Sequence, residues 1–187
     1  VHPYDGKDLA KDQPIQKIMP KGEMVYPVSQ HIGAPASPIV AVGDRVLRGQ
    51  KIAEAGGFVS APIYASVSGT VKAIQPRRTA VGDMVNSIIV ENDGLMEEVE
   101  FHPVEDINSL SKEEILNRIK EAGVVGMGGA GFPTHVKLSP KEPEKIEFII
   151  ANCAECEPYL TSDYRRMMET PEELVEGMKI VLRLFEG

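Results

Sequence analysis

Tryptophan is absent from this sequence, cysteine occurs only twice, and aromatic residues make up 5% of the 187 positions. The two cysteines, Cys153 and Cys156, are too few and too close for a secreted disulfide framework, so a reducing cytoplasmic setting is the simpler reading. A structural zinc would need two further ligands, and no second C-x-x-C exists. Two cysteines also fall short of the four that an iron–sulfur cluster takes. No apolar run approaches the roughly 18 residues of a membrane span, and the first residues carry no secretory signal. Direct membrane insertion is therefore not expected. Basic residues are the minority: 20 Lys and Arg against 28 Asp and Glu give a net charge of −8. Nonspecific nucleic-acid binding, which needs a basic surface, is excluded on that balance. What remains is the composition of a globular protein, with room for one ordinary domain or two small ones.

Residues 1–33 are rich in Lys, Asp, Gln and Pro and read as an extended N-terminal segment that wraps another element. His2 and His31 could be ligands, but neither has a partner at metal spacing, so surface or capping roles fit better. From 34 to 92 short β-like runs alternate with glycine. Ile39–Val42, Val46-Leu47, Lys51–Ala53, Gly69–Ile74 and Ser87–Val90 are the candidate strands. The turn Val42-Gly43-Asp44-Arg45-Val46 is echoed by Val81-Gly82-Asp83-Met84-Val85, which suggests two similar hairpin units in a small β-sandwich. This block resembles the lipoyl/biotinyl type of barrel-sandwich hybrid. Carriers of that type present a modified lysine at a hairpin tip, whereas the corresponding Gly56–Pro62 has none. The block is expected to dock or support and to carry no covalent group.

Residues 93–110 carry Glu97, Glu98, Glu100, Glu105 and Asp106 among few apolar residues and read as a surface linker in which His102 is solvated. Ser111-Lys112-Glu113-Glu114 is a capping box opening a helix whose apolar face is Ile115, Leu116, Ile119 and Ala122, with Gly123 placed to end it. Lys145–Ala151 reads as a buried strand delivering Asn152 at its C-terminal end, where open α/β sheets bind ligands. Thr170-Pro171-Glu172-Glu173 reads as a second capping box, followed by an apolar face of Leu174, Met178, Val181, Leu182 and Phe185. With one strand and no sheet partner, residues 111–187 are expected to be partly ordered or to pair with another copy.

The densest signal is Gly126-Met127-Gly128-Gly129-Ala130-Gly131-Phe132-Pro133-Thr134, followed by His135-Val136-Lys137. Four glycines in six positions let a flat or anionic ligand approach the backbone, and successive N–H groups can face a phosphate with Lys137 nearby. The string satisfies G-x-G-x-x-G, but a helix precedes it and Phe132-Pro133 follows, so the Rossmann context of strand before and helix after fails. A tight turn without ligand is the plain structural alternative.

This run resembles the flavin-binding loop of the 51 kDa subunit of respiratory complex I and its relatives. Asn152-Cys153-Ala154-Glu155-Cys156-Glu157-Pro158 resembles the acidic motif that accompanies it there. Val1-His2-Pro3 and Ser29-Gln30-His31-Ile32-Gly33-Ala34-Pro35 extend the match to the C subunit of the Rnf ion-translocating electron transport complex. The resemblance implies an α+β, multi-domain chain: a barrel-sandwich hybrid at 34–92, then at 111–187 the start of an α/β FMN- and NADH-binding domain. It implies that Gly126, Gly128, Gly129, Gly131 and Lys137 border FMN, with Asn152 and Glu155 at its ribityl or phosphate region. Phe132 and Glu157 are implied on the NAD(H) side, as substrate-binding residues. For Glu155 and Glu157 the plain alternative is solvated loop carboxylates. No catalytic side chain and no metal ligand is implied, since the flavin carries the hydride chemistry. Met127 stands where the complex I pattern has arginine and Ala154 where it has aspartate, both removing charge. Cys153 and Cys156 read as packing residues, with a redox pair as the alternative.

The resemblance further implies electron transport between NAD(H), flavin and two 4Fe–4S clusters, the latter borne by a C-terminal part not in this sequence. The chain therefore reads as an N-terminal fragment, inactive by itself. Its implied partners are the remaining members of the membrane complex, placing it peripherally on the cytoplasmic face of the cell membrane. Two alternatives stand beside this reading: a non-catalytic docking module with an empty loop, or a similar component of a soluble reductase.

Overall fold

A computed structural model describes residues 4–186, in two compact units formed by residues 19–140 and by residues up to 18 together with those from 141 on. His2 and the opening Val1-His2-Pro3 lie outside the described residues.

The unit of residues 19–140 is built on two antiparallel sheets. One has the order β1 (Glu23–Pro27), β7 (Met84–Asn92), β6 (Gly69–Arg78) and β3 (Arg45–Val46). The other has the order β2 (Ser37–Pro38), β4 (Lys51–Glu54) and β5 (Ile63–Tyr64). Inward side chains from both sheets form one core, including Val46, Ile52, Ile63, Val67, Val71, Ile88 and Val90. Each fully buried Val or Ile there contributes about 1.5–3 kcal/mol of transfer free energy. The long β6–β7 hairpin shifts register between Val71 and Ala73. The two V-G-D turns share one conformation at glycine, with φ of 95° at Gly43 and 96° at Gly82, a region that side chains disfavour. At the first turn Asp44 accepts the Ala41 N–H through Oδ2 at 2.7 Å.

Three expectations change here. Residues 23–27 are an outer strand on β7, so part of the N-terminal segment belongs to the sandwich. Tyr26 explains this, being buried in the core with its hydroxyl 2.9 Å from Ser66 Oγ. Ile39–Val42 forms no strand: it runs into the Asp44 turn, and Ile39 and Val42 are more than half exposed. Part of the expected linker is bound to the barrel. The Arg45 guanidinium bridges Asp93 at 2.9 Å and Glu97 at 2.7 Å, Arg48 and Glu98 form an isolated parallel bridge, and Met96 packs against the core. Farther along, His102 is exposed, as expected.

Helix α1 (Lys112–Glu121) starts at the expected capping box: Ser111 Oγ accepts the Glu114 N–H, and the Glu114 carboxylate accepts the Ser111 N–H. Gly123, at φ 67°, follows its end. Of its expected apolar face Ile115 is buried, while Leu116 and Ile119 are half-buried and Ala122 is exposed. The Lys51 ammonium holds the end of α1 through Glu121 at 2.5 Å, and the Tyr64 hydroxyl donates to the Glu121 carbonyl. A single helical turn, α2 (Thr134–Lys137), follows the glycine loop.

In the other unit, the expected strand Lys145–Ala151 is not formed. Pro143–Lys145 is a single 3-10 turn, and residues 146–151 form neither helix nor strand. Phe148 and Ile150 are 81% and 85% exposed. Apolar character alone cannot make a strand where no neighbouring backbone accepts its hydrogen bonds. Helices α3 (Ser162–Glu169) and α4 (Pro171–Phe185) follow. Pro171 is at the first position of α4 as expected, but Thr170 makes no capping bond to the backbone. Its φ of −138° and ψ of 54° turn the hydroxyl toward the Arg166 carbonyl and the Glu173 carboxylate. The expected apolar face of α4 is also shifted. Leu184 is its buried residue, Met178, Val181 and Phe185 are half-buried, and Leu174 and Leu182 remain exposed.

Candidate functional site

The glycine loop is closed at its base by a short antiparallel bridge between Val125 and Pro133. Gly126 N–H donates to the Phe132 carbonyl at 2.9 Å and Thr134 N–H to the Val124 carbonyl at 3.0 Å. Past that base the tip of the loop, residues 127–129, stands free. A Cβ on Gly128 or Gly129 would meet nothing within 4 Å, and Met127 at the tip is 96% exposed. Space is thus kept on the loop by glycines that no protein contact requires. Gly131 differs: its φ is 62°, and a Cβ there would lie 2.9 Å from the Gln30 carbonyl oxygen. That glycine fits the loop to the chain beneath it, whereas Gly128 and Gly129 leave room above.

Helix α2 leaves the loop and returns Lys137 to it: a Cβ on Gly126 would sit 3.2 Å from the Lys137 Nζ. Lys137 is exposed and makes no ion pair among the described residues. Backbone N–H groups on a glycine loop and an uncommitted ammonium beside it are the donor set that a phosphate monoester requires. Phe132, half-buried, is held by its backbone at the loop base.

Two histidines not singled out for this loop by the sequence are among its supports. His31 is buried rather than on the surface, in the segment 29–35 that runs along the loop between β4 and β5. Its Nε2 lies 3.1 Å from the Ala61 N–H donor and its Nδ1 3.1 Å from the Ile32 carbonyl. His135, on α2, is 5% exposed with Nε2 3.1 Å from the Phe58 carbonyl. The readable signal was the packing of His, Gly and Pro in Gln30–Pro35. Gly33, at φ 101°, leaves no space for a Cβ against the Val59 carbonyl.

Asn152, Glu155 and Glu157 belong to the other unit. Asn152 Oδ1 accepts the Ala154 N–H at 3.1 Å. Glu155 caps α3: Oε2 accepts the Asp163 and Tyr164 N–H groups at 3.0 and 3.4 Å, and Oε1 meets the Ser162 hydroxyl at 3.3 Å. A carboxylate there satisfies donors that the first helical turn leaves open. Glu157 is exposed, and its carbonyl accepts the Lys7 ammonium at 2.9 Å. Asn152 and Cys153 line an open cleft of about 370 Å³ with Asp163, Arg166, Thr170 and Glu173. Each thiol of the pair lies 3.8 Å from a backbone carbonyl two residues earlier, Cys153 half-buried and Cys156 exposed. Among the described residues no group of three or more His, Cys, Asp or Glu is placed to hold a metal ion. No helix of the described residues is long and apolar enough to cross a membrane.

Comparison with known families agrees with this arrangement. Residues 1–95 match the RnfC barrel sandwich hybrid domain, which includes both sheets of the sandwich. The chain belongs to the RnfC family. Residues 119–186 match the Nuo51 FMN-binding domain, taking in the glycine loop and the Asn152–Pro158 motif. This RnfC-family chain is thus a barrel-sandwich hybrid followed by an FMN-binding region. It is 47% identical over 186 residues to the C subunit of the proton-translocating ferredoxin:NAD(+) oxidoreductase complex of Clostridium ljungdahlii, covering 98% of this chain and 40% of that protein. It is 40% identical over 184 residues to the C subunit of the Na(+)-translocating complex of Acetobacterium woodii, covering 98% and 42%. The C subunit of the ion-translocating oxidoreductase complex of Pseudomonas aeruginosa is 42% identical over 180 residues, covering 95% and 23%. The chain therefore spans less than half the length of these relatives.

Proposed function

We propose that this chain forms the flavin-holding part of the electron-input subunit of an Rnf-type ion-translocating ferredoxin:NAD(+) oxidoreductase. The observation that carries this reading is the loop at Gly126–Gly131, open above Gly128 and Gly129 and flanked by the unpaired ammonium of Lys137. The names of the relatives supply the reaction, and the match to an FMN-binding domain supplies the cofactor. FMN, when bound, supplies hydride exchange with NAD(H) and electron transfer one at a time. The chain's own groups bind and orient. Gly128 and Gly129 let the backbone approach the ligand, Gly126 keeps Lys137 close, and Lys137 neutralises phosphate charge. Asn152 and Glu155 are assigned to the ribityl and phosphate region. In that role Glu155 acts through the turn it fixes at the start of α3. Phe132 and Glu157 are assigned to the NAD(H) side, where a carboxylate can accept the carboxamide N–H.

The 4Fe–4S clusters of this reading are assigned to residues outside this sequence, since two cysteines fall short of one cluster. Its partners are the remaining members of the complex, through which it lies on the cytoplasmic face of the membrane. The test is a titration of the full-length protein with FMN, followed by quenching of flavin fluorescence. Saturable binding that requires Lys137 supports the assignment. A full-length protein that leaves flavin fluorescence unchanged overturns it in favour of a docking module with an empty loop.

A further inference from the structure

The barrel's β4–β5 loop, where a carrier domain of this type would present its lysine, has a different neighbour here. Both flanks of the glycine loop are fastened to it by buried imidazoles. On the N-terminal side, His31 meets the Ala61 N–H with Nε2 and the Ile32 carbonyl with Nδ1, both at 3.1 Å. Of the two neutral tautomers, only Nδ1–H lets the ring accept from Ala61 and donate to Ile32. The Ile32 N–H in turn donates to the Ala130 carbonyl of the glycine loop at 3.2 Å. Gly131 lies so close to this strut that a Cβ would sit 3.0 Å from the His31 Cα. On the C-terminal side, His135 Nε2–H donates to the Phe58 carbonyl at 3.1 Å, with the two rings edge to face at 6.2 Å. The buried His135 Nδ1 has no hydrogen-bond partner, so the ring's polar role is confined to that bond. A buried imidazole with one satisfied nitrogen persists where its position matters more than its own satisfaction.

We propose that His31 and His135 are positioning residues of the flavin loop, fixing it to the Phe58–Ala61 segment of the barrel. The barrel tip thereby serves as a rigid anvil for the cofactor loop in place of a carrier arm. Neither ring touches the ligand in this assignment, which rests on the reading of the loop as a flavin cradle. A loop held at both flanks gives up less conformational freedom when the ligand arrives, so the struts raise affinity.

The test uses the full-length protein with three variants: His135→Leu, His31→Leu and His135→Gln. Gln keeps an N–H donor at the reach of Nε2. Hydrogen exchange is read at the Gly126 and Thr134 amides, with Ile88–Val90 of β7 as a control for the fold. FMN affinity is read in parallel. The expected result is exchange at Gly126 and Thr134 faster by about tenfold in each Leu variant, the scale of the net loss of a hydrogen bond. Protection of β7 stays intact, FMN binding weakens by a similar factor, and His135→Gln restores both. Wild-type loop protection and FMN affinity in both Leu variants would overturn the strut. So would weakening that Gln fails to restore, since packing alone would then explain the effect. If wild-type protein binds no FMN, the cradle reading fails, while the exchange data still decide whether the histidines hold the loop.

Discussion

Gly129 is the residue at which a substitution reports most cleanly on the loop. A Cβ there meets nothing within 4 Å beyond its chain neighbours, so a side chain starts out into the space above the backbone. Gly129→Trp is expected to leave the fold intact and abolish FMN binding by the full-length protein. Unchanged melting with lost flavin content is the expected pair of measurements, and unchanged flavin content refutes the loop assignment. Gly131→Ala tests the opposite property. It strains a backbone at φ 62° and pushes toward the Gln30 carbonyl, so destabilisation by about 1 kcal/mol or more is expected even without flavin. Chemical denaturation of the variant checks it. Glu155 stands out in the sequence through its motif but not as a helix cap. Its acceptors reach Ser162, Asp163 and Tyr164 only after the chain turns at Pro158-Tyr159, where Tyr159 takes φ 66°. That turn has no glycine to announce it.

At the scale of elements, the N-terminal segment is attached to α3 through charged groups. The Ile15 N–H donates to the Glu169 carboxylate at 3.0 Å, and Arg165 Nη1 donates to the Lys11 carbonyl at 3.2 Å. The hydrogen bond from Ile15 and, next, that from Arg165 hold the Glu169 carboxyl below its ordinary value of 4.5. A lowered carboxylate stabilises fully above its unfolded value, and the contribution is lost as pH falls through the folded one. Protection of the Ile15 amide, corrected for intrinsic exchange, is therefore expected to hold near neutrality and to fade below pH 4.5. Glu169→Gln should flatten that dependence, and a profile unchanged by the substitution refutes the link. Elements with local signals were legible in the sequence: the α1 capping box, the V-G-D turns and the glycine loop each depend on a few adjacent residues. Elements that depend on a distant partner were not. The strand Glu23–Pro27 exists because β7 offers its edge, and residues 146–151 lack such an edge among the described residues. Their alternating exposed Ile146, Phe148 and Ile150 retain the sequence of a strand without its ladder. Rapid exchange of the Glu147–Ala151 amides in this chain is the expected outcome, and uniform protection of them in a monomer refutes it.

For the whole molecule, the division into two units predicts unequal stability. Residues 19–140 contain both sheets and the single core cluster, whereas residues from 141 on bury only Thr161 and Leu184 among the described side chains. Net stability follows apolar surface removed from water, offset by chain entropy. The sandwich is therefore expected to fold as a fragment of residues 19–140 and to unfold in one transition. Ile52, fully buried between the sheets, probes that core: Ile52→Ala should lower its stability by about 2–5 kcal/mol through lost burial and the cavity left behind. In the whole chain, the equivalent change at Leu174, 44% exposed on α4, should leave the midpoint of the sandwich transition where it was, because α4 lies outside the unit. The same fragment should carry no covalent prosthetic group, since its β4–β5 loop has no lysine to modify. Denaturant unfolding of the fragment and of the whole chain, with an intact mass of the fragment, measures these. A fragment that melts without cooperativity would show that the sandwich draws its stability from outside residues 19–140. An added lipoyl or biotinyl mass would return the barrel to the carriers.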